Sequence, residues 1–387
     1  MGKSGKNNGF ATPKNALEFC IKSFYLRKNQ PLLKRSQIKN KGFTAKKRLN
    51  KAMLKYILKR LFISIFILLG VSIIIYTLVR LMPNDYIDLK YAEQLKSGAI
   101  TQEQINQSKA MYGIGDNSFK GIVGGYSQWI GRLLQGDLGR SFKYEKPVAT
   151  VIGDNMWISF AIAVVATILQ FLISIPLGIS GATHQYSVRD YTVTVFTMIG
   201  ISLPTYFFAA IVIKIFSVEL GILPAGGLIY ATKDYAETFA GSLEKFGDIV
   251  EHLILPISVS VILSIGGLMR YTRTNMLEVL NSDYIRTARA KGLSENKVIY
   301  RHAFRNTMIP LATLLAGILP SLFGGMMITE QVFGIDGIGR LAYQALREGD
   351  IPFVMGYNMF LAILTVIGTL LSDIMYSIVD PRVKLGK

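Results

Sequence analysis

Between Leu61 and Met82 the chain reads LFISIFILLGVSIIIYTLVRLM, an apolar run with one charge, Arg80, near its end. About 20 such residues cross the hydrocarbon core of a bilayer. No water reaches the backbone there, so a spanning segment must satisfy its own hydrogen bonds as a helix or join a closed barrel. Similar runs recur at Trp157–Gly178, Tyr191–Val218, His252–Met269, Pro310–Thr329 and Phe353–Ile378. The pattern predicts an all-α polytopic membrane protein with six spans, about 61–82, 157–178, 191–218, 252–269, 310–329 and 353–378. Pro204, Pro256 and Pro320 fall within these runs; membrane helices tolerate proline where neighbours satisfy the freed carbonyl. The first run is too long for a signal-peptide core and the basic stretch before it too long for a leader, so it reads as a retained helix.

Charge sets the orientation. Residues 1–60 carry 17 Lys and Arg against one acid, Glu18, so most of the formal +18 sits in one region. Positive residues mark cytoplasmic loops. The segment after the fourth run is also basic, with Arg270, Arg273, Arg286, Arg289, Lys291, Lys297, Arg301 and Arg305. Arg189 in the second-to-third loop and Arg382, Lys384 and Lys387 at the end fall on the same side if six helices alternate. Both termini are then cytoplasmic. Residues 83–152, 219–251 and 331–352 face the other side, with a mixture of charges. Arg80, Lys214 and Asp373 lie near predicted interfaces, where snorkelling accounts for them.

The basic segment 270–309 is too polar to enter the bilayer. Ser282 is placed to cap a helix, Asp283 suits its first turn and Gly292 suits the C′ position. Ser294 opens a second helix, with Glu295 in its first turn. The reading is a helix of about 9 residues, a glycine turn, a second helix, then insertion near Pro310. Tyr284 and Ala288 share one face, and Arg286 and Arg289 another. Physics alone permits a basic helix resting on anionic lipid headgroups or a helix that meets a partner.

The run Tyr284-Ile-Arg-Thr-Ala-Arg-Ala-Lys-Gly-Leu293 resembles the coupling-loop signature of the oligopeptide and dipeptide branch of ABC importer permeases. Other pieces match in order: MLKYILKRL at 53–61, Gly136-Asp-Leu-Gly-Arg-Ser141, Ser202-Leu-Pro204, Leu223-Pro-Ala-Gly-Gly227, Arg305-Asn306, Glu330-Gln-Val-Phe-Gly334, Gly337-Ile-Gly-Arg-Leu341 and Asp380-Pro-Arg-Val-Lys384. The likeness covers about residues 53–387 and is to the OppB/DppB-type subunit. It implies a type I ABC importer permease fold at the cell membrane. The partners it implies are a second homologous permease subunit, two ATP-binding subunits and an extracytoplasmic peptide-binding protein. The ATPase-coupling residues it implies are Tyr284, Arg286, Thr287, Ala288, Arg289, Ala290, Lys291 and Gly292. Arg286-Thr287-Ala288 stands where importers in general carry Glu-Ala-Ala, and the gap from Gly292 to Pro310 is longer; the peptide branch shares both departures. Pro204, Gly317, Gly324 and Gly325 are candidates for the translocation pathway. Oligopeptide is the expected cargo, with dipeptide, glutathione or a nickel chelate as alternatives.

The chain lacks a complete phosphate loop, since Gly2-Lys3-Ser4 has no room for its upstream glycine. ATP is therefore expected on partner chains, with no catalytic residues, cofactor or metal site here. His184, His252 and His302 are scattered, without metal-ligand spacing. Cys20 is the single cysteine. Residues 1–52 form a basic extension, read as partly disordered with a membrane-surface helix near 15–28. Anchoring to lipid is favoured there over nucleic-acid binding, because the next residues enter the bilayer.

Overall fold

The computed structural model describes residues 32–80, 91–92, 95–111 and 118–379. The expected surface helix near 15–28 and the basic C-terminal residues lie outside them. Residues 62–383 make one compact unit, and residues 1–61 with 384–387 another. Among the described residues the fold is helical, and the β pairing is a single bridge, Arg140 to Pro147.

The helices, in order, are α1 (Leu32–Arg80), α2 (Gln102–Met111), α3 (Phe119–Leu134), α4 (Val148–Thr183), α5 (Val188–Ser202), α6 (Thr205–Ile213), α7 (Phe239–Leu280), α8 (Asp283–Ala290), α9 (Phe304–Phe323), α10 (Met327–Val332), α11 (Ile338–Glu348) and α12 (Ile351–Val379). π-helical turns follow α6 at Lys214–Glu219 and precede α9 at Lys297–Ala303.

Among the described residues, four helical stretches are long and apolar enough to cross a membrane: Tyr56–Arg80, Val148–Thr183, Phe239–Leu280 and Ile351–Asp373. The third expected span is a bent pair, α5 then α6, turned by 102°. Leu203 and Pro204 are extended between them, because proline disfavours helix in the residue before it. Counting that pair once gives five spans among the described residues, against the six expected. The fifth run, 310–329, does not form one helix: α9 ends at Phe323, and Gly325 turns the chain at φ +71°. The helical part from Pro310 to Phe323 is about 21 Å long, against a core of about 30 Å.

α4 and α7 pack along each other, and α5 lies against α7. With no hydrophobic drive between helices in lipid, close packing of small residues holds such contacts. A Cβ on Gly178 of α4 would sit 2.7 Å from Thr272 Cβ and 2.8 Å from the Met269 carbonyl of α7. One on Gly266 would sit 2.7 Å from the Thr197 carbonyl of α5. Near the end of α7 that leads into α8, Arg273 holds Asp190 of α5 through two hydrogen bonds, 2.8 and 2.7 Å, with Asp190 buried.

Two buried carboxylates brace the opposite end. Asp350 accepts hydrogen bonds from Ser141 Oγ and the Phe142 and Lys143 amides, and caps α12 through the Phe353 amide. That ties the expected Gly136–Ser141 motif to the last helix. Glu330 on α10 accepts from Ser159 Oγ of α4 at 2.7 Å and from the Met326 and Arg340 amides at 2.9 Å. Ser159 Oγ in turn accepts from the Ile338 amide. The Gly227 amide donates to the Phe333 carbonyl, bringing two of the sequence motifs together. Lys233 spans Glu244 and Asp248 in the loop before α7, and the Asp248 contact chiefly holds its ammonium well above the usual range.

Candidate coupling site

α8 forms where its sequence places it. Ser282 has extended backbone and its carbonyl accepts from the Ile285 and Arg286 amides. Its hydroxyl does not cap the helix as expected; it donates back to the Val279 carbonyl. The helix runs for 8 residues, Asp283–Ala290, and Gly292 follows at φ +75°, donating to the Arg289 carbonyl. An L side chain pays about 1–2 kcal/mol for that left-handed backbone, so glycine suits the position. Beyond it Ser294 accepts from the Lys297 and Val298 amides, and a helical arm leads straight into α9. Pro310 therefore lies inside the helix rather than at its start.

Beneath α8 is an apolar socket. Ile285 and Ala288 are buried among Ile179 and Ala182 of α4, Met276 of α7, and Val298 and Ala303 of the second arm. Fully burying a side chain such as Ile285 stabilises by about 1.5–3 kcal/mol. The buried stripe is therefore Ile285 with Ala288, three apart. Tyr284, which the sequence reading paired with Ala288, is 45% exposed. Ile285 was the residue missed, although its spacing from Ala288 would have found it.

The outer face carries the rest of the expected set. Arg286, Thr287, Arg289, Ala290, Lys291 and Gly292 are exposed. Thr287 Oγ1 donates to the Asp283 carbonyl, and Arg286 lies 3.7 Å from the Asp283 carboxylate. Arg289 meets Glu295 across the glycine turn, with its Nη2 and Nε donating at 2.6 and 3.2 Å. The same contact holds the Glu295 carboxyl below its ordinary range and pushes Arg289 up. At the other end of α8 Asn306 Nδ2 donates to the Tyr284 hydroxyl at 2.9 Å.

The four expected pathway residues do not form one set. Pro204 is exposed at the break before α6, and Gly317 is exposed with open space where a Cβ would stand. Gly324 and Gly325 belong instead to the Glu330 knot. Gly324 accepts from the Tyr357 hydroxyl, and a Cβ on Gly325 would lie 2.5 Å from the Gly339 amide nitrogen. Among the described residues no cluster of His, Cys, Asp and Glu could hold a metal ion.

Comparison with known proteins covers most of the chain from residue 53 onward. Residues 174–385 match the family described as the binding-protein-dependent transport system inner membrane component, and residues 53–163 match its N-terminal partner family. The oligopeptide transport system permease protein AppB of Bacillus subtilis is 38% identical over 333 residues, 86% of this chain and 100% of that one. The dipeptide transport system permease protein DppB of Alkalihalophilus pseudofirmus is 32% identical over 341 residues, again 86% of this chain and all of the other. A solved MetNI methionine ABC transporter chain aligns with TM-score 0.44 and 16% identity, covering 60% of this chain and 97% of that one. The chain belongs to the family of inner-membrane components of binding-protein-dependent transport systems.

Proposed function

We propose that this chain is the membrane-spanning permease subunit of an ATP-driven oligopeptide importer. Its relatives named for oligopeptide and dipeptide transport support that cargo. It pairs with a second, homologous permease, receives peptide from an extracytoplasmic binding protein and couples to two cytoplasmic ATP-binding subunits. The observation that carries the mechanism is the seating of α8. Its polar face, with Tyr284, Arg286, Thr287, Arg289, Ala290 and Lys291, points away from the chain, while its apolar stripe is sunk into α4, α7 and the second arm. A push delivered to that face by an ATPase reaches several helices at once. Ala288 and Gly292 serve as seat and turn.

α9 completes a sixth crossing in this reading, which leaves both termini cytoplasmic. Its packing along α12 and the Lys and Arg asymmetry support that count. The exposed surfaces at Pro204 and Gly317 face the second permease, and peptide passes between the two subunits. The test is uptake of labelled oligopeptides by the four-component complex in liposomes. Gly292→Val and Arg286→Glu should each uncouple ATP hydrolysis from uptake. Normal uptake by both variants would overturn the assignment of α8, and absence of any co-purifying ATPase would overturn the importer reading.

A further inference from the structure

α8 is held at both ends by side chains that follow it, Glu295 at the start of the second arm and Asn306 in the first turn of α9, and neither belongs to the expected coupling set. Asn306 grips the Tyr284 hydroxyl, and Glu295 takes the Arg289 guanidinium through two nitrogens. The Arg289 pair bridges Gly292, whose lack of a Cβ leaves the turn free to flex. Arg289 is 45% exposed and Glu295 56%, so the pair stands at the surface. Its reach across the turn, from α8 to the residue after Ser294, rather than depth, gives it leverage.

We propose that Glu295 is a positioning residue for coupling: it clasps Arg289 across the Gly292 turn and fixes the angle at which α8 meets its partner. Arg289 acts within this clasp, not as a direct donor to the ATP-binding subunit. The exposed face left for contact is then Arg286, Thr287, Ala290 and Lys291. The inference rests on α8 being the docking helix, as inferred above.

The clasp predicts a defined loss. A solvent-exposed ion pair is worth about 0.2–1 kcal/mol, so opening it shifts the turn between its arrangements by at most about fivefold. In the reconstituted complex Glu295→Ala should lower peptide delivered per ATP by about two- to fivefold, with the ATPase subunits still co-purifying. Arg289→Ala should match it, and the double variant should be no worse than either single one, because the two residues act as a unit. The swapped variant Arg289→Glu with Glu295→Arg should recover much of the ratio. An unchanged ratio in Glu295→Ala, additive losses in the double variant, or no recovery in a swapped variant that assembles normally would each overturn the clasp. Gly292→Val separates the two levels: if it uncouples while Glu295→Ala does not, the docking helix stands and the clasp falls.

Discussion

Glu330 to Gln is the most demanding test of the packing that holds the α10–α11 end together. The carboxylate is 1% exposed and carries three donors on two oxygens. Glutamine keeps the shape, and its oxygen can still accept from Ser159 and Met326. Its NH2 group then faces the Arg340 amide, donor against donor. A buried group left without its partner costs about 1–3 kcal/mol. The carboxylate packs directly against the Gly337 and Gly339 backbone, filling the space a Cβ there would take, 2.5 and 3.0 Å from Oε2. At about 2–4 °C per kcal/mol for chains of this order, the midpoint of thermal unfolding should fall by roughly 2–12 °C. The assay is the melting of purified protein in detergent, followed by the fluorescence of Trp129 and Trp157. Ser159→Ala removes the hydroxyl that links Glu330 to Ile338, so its loss and that of Glu330→Gln should be non-additive. A Glu330→Gln protein that melts with the wild type would refute the idea that this carboxylate organises the α10–α11 turn.

Asp190→Ala removes the acceptor for Arg273 and leaves a mostly buried guanidinium alone; a loss of about 2–4 kcal/mol is expected, read by the same melting assay. Gly178→Leu forces α4 from α7 at a point with no spare volume, so about 1–3 kcal/mol or failure to accumulate in the membrane should follow, measured by yield and melting. Acid should open the Arg289 clasp. Glu295 has a lowered pKa in the folded chain, so its contribution is full above the ordinary value of 4.5 and is lost as pH falls through the depressed one. A spin-label pair at Thr287 and Asn296, with Cys20 replaced, should show a broader distance distribution only at the acid end, and an Arg289→Ala protein should show it at neutral pH as well.

The apolar runs located every long helix, because twenty lipid-facing residues cannot be written any other way. They did not give helix ends. α4 begins at Val148 and α7 at Phe239, beyond the apolar stretches, where polar residues continue the same helix into water. The run 310–329 looked like one span because hydropathy does not register a left-handed glycine at 325. α8 was legible through Asp283 and Gly292, whose roles are local. The Glu330 and Asp350 knots were not, since Ser159 lies 171 residues from Glu330 and Ser141 lies 209 from Asp350. Read in isolation, Asp350 is one more acid in an outer loop.

The lengths of α4 and α7 have a mechanical consequence. At 36 and 42 residues they measure about 54 and 63 Å, roughly twice the hydrocarbon thickness. The ends where Ile179, Ala182 and Met276 form the seat of α8 therefore act, in the proposed coupling, as the handles of levers pivoted in lipid. With α7 turning about Gly266, Met276 lies about 15 Å along the helix, so a tilt of about 20° carries the seat about 5 Å, the height of one helical turn. The close contact of Gly266 with the Thr197 carbonyl is where such a rotation would turn, while Gly178, beside Ile179 and against Thr272, ties α4 to α7 so that the two halves of the seat move together.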